Sequence, residues 1–125
     1  MPRILIVEDN EMNRDMLSRR LVRRGFEVIE AVDGKEGVDT CRNSQPDIIL
    51  MDISLPVMDG WEATSIIKAS EDTKHIPIII LTAHATSEDR DRAQQVGSDE
   101  YETKPVEFTR LIRKIETLLH LPFSQ

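Results

Sequence analysis

Apolar residues fall into five short runs along the chain, and between the runs they recur at the wider spacing of a helix face. Arg3 to Val7 (RILIV) reads as a buried strand. Asn10 can cap the helix that follows, where Met12, Met16, Leu17 and Leu21 repeat at helical spacing until Gly25 stops it. Glu27 to Ala31 is a short strand, and the Asp33/Glu36 pair has the capping-box spacing that opens a helix to about Asn43. Asp47 to Met51 is the third strand. A helix from about Gly60 to Ser70 carries Trp61, Ile66 and Ile67 on its apolar side. Ile76 to Leu81 is the fourth strand, and Thr86 or Ser87 starts a helix that Gly97 ends. Asp99 to Thr103 is a weak, polar fifth strand. Pro105 then sits near the start of a last helix, with an apolar stripe at Phe108, Leu111, Ile112, Ile115, Leu118 and Leu119. Residues 122–125 read as a loose tail.

The order is strand then helix, five times over. Short strands separated by helices imply an α/β fold: a doubly wound parallel sheet, helices on both faces and right-handed crossovers. The most apolar strands, the first, third and fourth, belong in the centre, and the polar fifth suits an edge. The strand order 2-1-3-4-5 satisfies these demands. It puts a topological switch point between strands one and three, where ligands of open parallel sheets bind.

Composition narrows the class. Across 125 residues, 39% hydrophobic and 31% charged positions fit a single globular domain, with no repeat, linker or low-complexity segment. The longest apolar run, Ile76 to Leu81, is too short to cross a membrane, and MPRILIVEDN is no signal peptide. The lone Cys41 excludes an internal disulfide, so a reducing cytoplasm is the expected location and a packed helix residue its expected role. A net charge of −7 argues against direct nucleic-acid binding. The charge is uneven. Arg14, Arg19, Arg20, Arg23 and Arg24 crowd the first helix, and acids crowd the segment from Glu88 to Glu102.

The candidate chemistry stands at the strand ends. Glu8 and Asp9 follow the first strand, Asp52 the third, Thr82 the fourth and Lys104 the fifth. In the expected sheet these share one edge, with the acids straddling the switch point. Clustered carboxylates repel one another unless a cation joins them. The simplest reading is Mg²⁺ held by Asp9 and Asp52, with Glu8 reaching it through water and the backbone carbonyl of Ser54 completing the set. A carboxylate can also attack a phosphoryl group, a reaction that needs mostly positioning and charge neutralisation. Lys104 brings a mobile positive charge and Thr82 a hydroxyl donor.

At these residues the sequence resembles the receiver domain of two-component response regulators, a CheY-like, flavodoxin-like fold. The resemblance runs from Arg3 to about Leu119. It is carried by Glu8-Asp9, by Asp52, by the Leu55-Pro56-x-Met58-Asp59-Gly60 loop, by Thr82-Ala83 and by Lys104-Pro105. It implies a receiver over residues 1–121, and since the chain stops just after the last helix, a stand-alone receiver with no output domain is expected. Asp52 would be phosphorylated by a histidine kinase or a histidine phosphotransfer protein, in a reaction requiring Mg²⁺, with Mn²⁺ able to substitute. It also implies a cis Lys104–Pro105 bond and a switch in which Thr82 moves toward the phosphate and Tyr101 turns inward. The altered surface then meets a downstream protein, the chain itself being a monomer or weak dimer. Asn10, Asn13, Arg14 and Tyr101-Glu102-Thr103 look more like receivers of hybrid-kinase phosphorelays. His84, two residues after Thr82, is placed to tune water access to the phosphate. Three other readings compete. A small Mg²⁺-dependent phosphatase would carry a second acid where Ser54 stands. A flavin carrier would need a Gly-, Ser- and Thr-rich loop where Glu8-Asp9 stands. The third is an adaptor of receiver shape that is never phosphorylated.

Overall fold

The computed structural model describes residues 2–84 and 86–122. The end of the expected tail, residues 123–125, lies outside the described residues. The elements are β1 (Arg3–Val7), α1 (Glu11–Arg23), β2 (Glu27–Ala31), α2 (Gly34–Ser44), β3 (Ile48–Asp52), α3 (Gly60–Ala69), β4 (Ile78–Thr82), α4 (Ser87–Gln95), β5 (Glu100–Thr103) and α5 (Phe108–Leu119). The strands are parallel and lie in the order β2-β1-β3-β4-β5.

Side chains alternate across a strand, so each central strand supplies two cores. Leu5, Val7, Ile49, Met51, Ile78 and Ile80 face one way and pack with Val38 and Cys41 of α2, Trp61 and Ile67 of α3 and Ala93 of α4. Ile4, Ile6, Ile48, Leu50, Ile79 and Leu81 face the other way and meet Leu17 and Leu21 of α1 and Leu111, Ile112 and Ile115 of α5. Burial on both faces is why β1, β3 and β4 read as unbroken apolar runs rather than alternating ones.

Local chemistry sets the ends of the elements. Asn10, Asp33, Asp59 and Thr86 accept the backbone N–H three residues on and so cap α1, α2, α3 and α4. Several boundaries differ from the sequence reading. β3 is shifted by one residue, starting at Ile48 and ending on Asp52 itself. β4 begins only at Ile78, because Pro77 has no N–H for the ladder, though its carbonyl still accepts from Ile49. The last helix starts at Phe108, capped by Glu107, so Pro105 lies outside it. The apolar repeat of α1 is also only half used. Leu17 and Leu21 are buried, while Met12 and Met16 remain 78% and 51% exposed.

Candidate functional site

The carboxyl ends of the strands place the chemistry. In the period-two alternation Glu8 follows Ile4 and Ile6, and Asp52 follows Ile48 and Leu50, on the sheet face covered by α1 and α5. β1 and β3 are neighbours, so both acids come to one spot, and both are buried. Asp9 is exposed beside them, and the three residues each offer a carboxylate oxygen within 4.8 Å of the others. The turn after Asp52 is tight. A Cβ on Gly60 would run into the carbonyl oxygen of Asp52, and one on Gly34 into that of Met58. Those two glycines let α2 and α3 close against the loop. Within it Val57 takes a left-handed φ of 68°, unusual for a β-branched residue.

Lys104 reaches the acids from β5, three strands away from β1. Its backbone N–H extends the β4–β5 ladder by donating to the Thr82 carbonyl at 2.8 Å, and its peptide bond to Pro105 is cis. Its ammonium lies 3.1 Å from Glu8 Oε1 and 3.1 Å from Asp52 Oδ1. Burial alone would lower the pKa of this lysine. The hydrogen bond and charge of Asp52, and then those of Glu8, outweigh that and hold it above its usual value. The other Glu8 oxygen accepts from the Asn10 N–H at 3.2 Å, and the Glu8 carbonyl accepts from Arg14 Nη1 at 2.9 Å. This anchoring by Arg14 was not legible in the sequence, because its carbonyl partner has no side-chain signature.

Thr82 ends β4 on the opposite face, two residues after Ile80. Its hydroxyl accepts from the His84 N–H at 3.1 Å and has two acceptors in reach, the His84 carbonyl at 3.2 Å and Asp89 Oδ2 at 3.3 Å. Tyr101 is half-buried on the same face, with Arg90 of α4 and Lys114 of α5 over its ring at 5.4 and 5.7 Å. His84 is exposed, and so is Ser54 in the loop after Asp52. The structure thus brings Glu8, Asp9, Asp52 and Lys104 into one cluster, with Thr82 at the end of the next strand. Tyr101 stands behind on β5.

The donor set fits a hard divalent cation, because carboxylates and open coordination sites are what such an ion accepts. The lysine leaves room for an anion beside it. A flavodoxin-like α/β protein is therefore defined here, whose switch-point cleft suits a cation and an anionic group together. The chain belongs to the response regulator receiver domain family, whose model matches residues 4–116, and so to the proteins of two-component signalling. The polar-differentiation response regulator DivK of Brucella abortus is 40% identical over 116 residues, 93% of this chain and 94% of that protein. A response regulator structure from Chloroflexus aurantiacus superposes with a TM-score of 0.90 at 28% identity, over 95% of this chain and 98% of its own. The receiver domain of a sensor histidine kinase from Pseudomonas aeruginosa has a TM-score of 0.88 at 37% identity, over 95% of this chain and 98% of its own. That structure holds a magnesium ion coordinated in its active-site cleft. Among the described residues no helix is long and apolar enough to cross a membrane.

Proposed function

We propose that residues 1–121 of this chain form a response regulator receiver whose Asp52 accepts a phosphoryl group from a histidine kinase or a histidine phosphotransfer protein. It works in the cytoplasm as a signalling protein rather than as an enzyme on a separate substrate. One observation carries the reading: Lys104 Nζ stands 3.1 Å from both Glu8 and Asp52, from a strand end far away in sequence. In the transfer an Asp52 oxygen attacks phosphorus. The bond from phosphorus to the donor imidazole nitrogen breaks, and the imidazole keeps the electron pair and takes up a proton. Lys104 exchanges its carboxylate contacts for the incoming phosphoryl oxygens and offsets their charge. Glu8, Asp9, Asp52 and the Ser54 carbonyl are the residues that would hold Mg²⁺, or Mn²⁺ in its place. Held there, the ion would neutralise the charge of the acids and of the incoming phosphoryl group.

The product adds about one and a half to two negative charges and new acceptor oxygens. Thr82 turns its hydroxyl to one of them, Tyr101 moves inward, and the surface of α4, β5 and α5 changes for a downstream protein. His84, exposed next to Thr82, tunes water access and so the phosphoryl lifetime. A groove of about 440 Å³ beside the site is lined by Glu8, Met16, Leu17, Arg20, Lys104 and Phe108 and receives the phosphodonor. Arg20 lies 4.3 Å over the Phe108 ring there, and Arg19 is paired with Asp15 at 2.9 Å on the outer face. Charge reversal at Arg19 and Arg20 is expected to slow transfer from a protein donor and to spare transfer from a small acyl phosphate.

The deciding experiment is incubation with Mg²⁺ and a small acyl phosphate, read by intact mass. The expected result is a gain of one phosphate per chain, lost in Asp52→Asn and lost on chelation. No gain in the unaltered protein would overturn the proposal and leave an adaptor of receiver shape.

A further inference from the structure

The first turn of α4 touches both residues of the switch. Thr82 and Tyr101 lie on the same face of the sheet, the face that α4 covers. Asp89 and Arg90, adjacent in sequence, reach one each. Asp89 Oδ2 is 3.3 Å from the Thr82 hydroxyl, and the Arg90 guanidinium is 5.4 Å over the Tyr101 ring. Asp89 stands three residues after the Thr86 cap, and its N–H donates to the Thr86 hydroxyl at 3.1 Å. A carboxylate at that position usually turns back to the cap's own N–H. Here one of its oxygens faces Thr82. The single hydroxyl proton of Thr82 has the His84 carbonyl as its other acceptor, at 3.2 Å. A carboxylate is the stronger acceptor of the two.

From this geometry we infer that Asp89 and Arg90 are positioning residues that act as a clamp: Asp89 holds the Thr82 hydroxyl away from Asp52, and Arg90 holds Tyr101 in its half-buried place, so that phosphorylation must release both together. The inference rests on the reading of Asp52 as phosphoacceptor. The Thr82 hydroxyl has one proton to give. It cannot serve Asp89 and a phosphoryl oxygen at once. When the proton goes to the phosphate, Asp89 loses its partner and faces added negative charge, which pushes the first turn of α4 outward and carries Arg90 off the Tyr101 ring. Two neighbouring residues on one helical turn cannot move independently, and that rigidity is the coupling.

The chain has one tyrosine, so 3-fluorotyrosine labelling gives a single ¹⁹F resonance from Tyr101. The test titrates labelled protein with Mg²⁺ and beryllium fluoride. In the unaltered protein the resonance is expected to move from a free to a bound position. Asp89→Ala, with no beryllium fluoride, is expected to shift the population toward the bound position by about tenfold, the worth of one long charge-assisted hydrogen bond. By linkage it should need about tenfold less beryllium fluoride to complete the change. Asp89→Asn, which keeps the shape and loses the charge, should fall between. Arg90→Ala should loosen Tyr101, which keeps Lys114 over its ring at 5.7 Å, and the double variant should add little to either single one, as expected of residues acting in series. Arg92→Ala is the control. Arg92 sits on the same helix, 5.0 Å over the Trp61 ring, and should leave the Tyr101 resonance in place. The clamp is overturned if Asp89→Ala titrates as the unaltered protein does, or if Arg92→Ala moves the resonance equally. If the unaltered protein neither responds here nor gains phosphate by intact mass, the reading of Asp52 falls and takes the clamp with it.

Discussion

The two helices that flank β5 are built in opposite ways. α5 buries Leu111, Ile112 and Ile115 against the sheet, and it is tied to β5 by ions as well. Glu102 of β5 is 2% exposed and takes Arg110 Nη2 at 2.6 Å and Lys114 Nζ at 3.0 Å, and Lys114 also donates to the Tyr101 carbonyl at 2.6 Å. α4, in contrast, is SEDRDRAQQ, and among the described residues Ala93 is its one buried side chain. Its remaining ties are single polar contacts such as Asp89 to Thr82 and Arg92 over Trp61. A site that gains one phosphoryl group has only a few kcal/mol with which to bias a conformation. That amount moves an element held like α4 and leaves one held like α5 in place. On the proposed reading, the face formed by α4, β5 and α5 would therefore have a fixed half and a movable half, joined along β5.

The largest effect expected from this contrast is in α5. Leu111 is fully buried, and Leu111→Ala should lower stability by about 3 to 5 kcal/mol, through lost burial and the cavity left behind. Urea denaturation followed by circular dichroism would read it as a drop in the midpoint at unchanged slope. A loss below about 1 kcal/mol would mean that α5 is no better anchored than α4, and the contrast would be gone.

The ionic tie should cost less to break and should be pH-dependent. Burial works against the charge on Glu102, but the Arg110 hydrogen bonds, and then Lys114, outweigh it and hold the carboxyl below its ordinary 4.5. A carboxyl lowered by folding stabilises the folded state fully above its unfolded value, and that stabilisation is lost as pH falls through the folded value. Glu102→Gln is expected to cost about 1 to 3 kcal/mol at pH 7. The difference between variant and parent should shrink as the pH falls below 4.5. Midpoints measured at neutral and acid pH would check this. A difference that stays constant across that range would show that shape, rather than charge, is what Glu102 supplies.

Much of this arrangement was legible in the sequence, and the parts that were not share a cause. The five strands, their order and the gathering of Glu8, Asp9, Asp52 and Lys104 at one edge follow from apolar runs, caps and the rule for parallel sheets. The period-two alternation also carries the fact that Thr82 and Asp52 leave the sheet on opposite faces. What stayed hidden was which side chain of one element meets which side chain of another. Nothing near Glu102 announces that Arg110 and Lys114 will cover it, because spacing along α5 says which residues share a face but not what that face meets. Met12 and Met16 fit the helical repeat of α1 and still stay exposed, and Met16 lines the groove beside Lys104 rather than the core. Val57 gives no hint of its left-handed backbone, because a β-branched residue rarely adopts that conformation by its own preference.

The smallest effect belongs to α4, and it sharpens the contrast most because it is local. Ala93 is the residue that seats α4, and Ala93→Gly adds backbone freedom to a helix interior at a cost of about 1 kcal/mol. If α4 opens on its own, that cost falls on the local equilibrium. Native-state hydrogen exchange should then show the α4 amides exchanging about fivefold faster, with the α5 amides unchanged under conditions where they do not report global unfolding. The same variant should also raise the response of Tyr101 to phosphorylation, because a looser α4 is easier to displace. Equal acceleration in both helices would show that α4 and α5 open as one unit. In that case the phosphoryl group would have to move the whole face against three buried aliphatic side chains of α5 and the Glu102 network, which is more than a few kcal/mol can do.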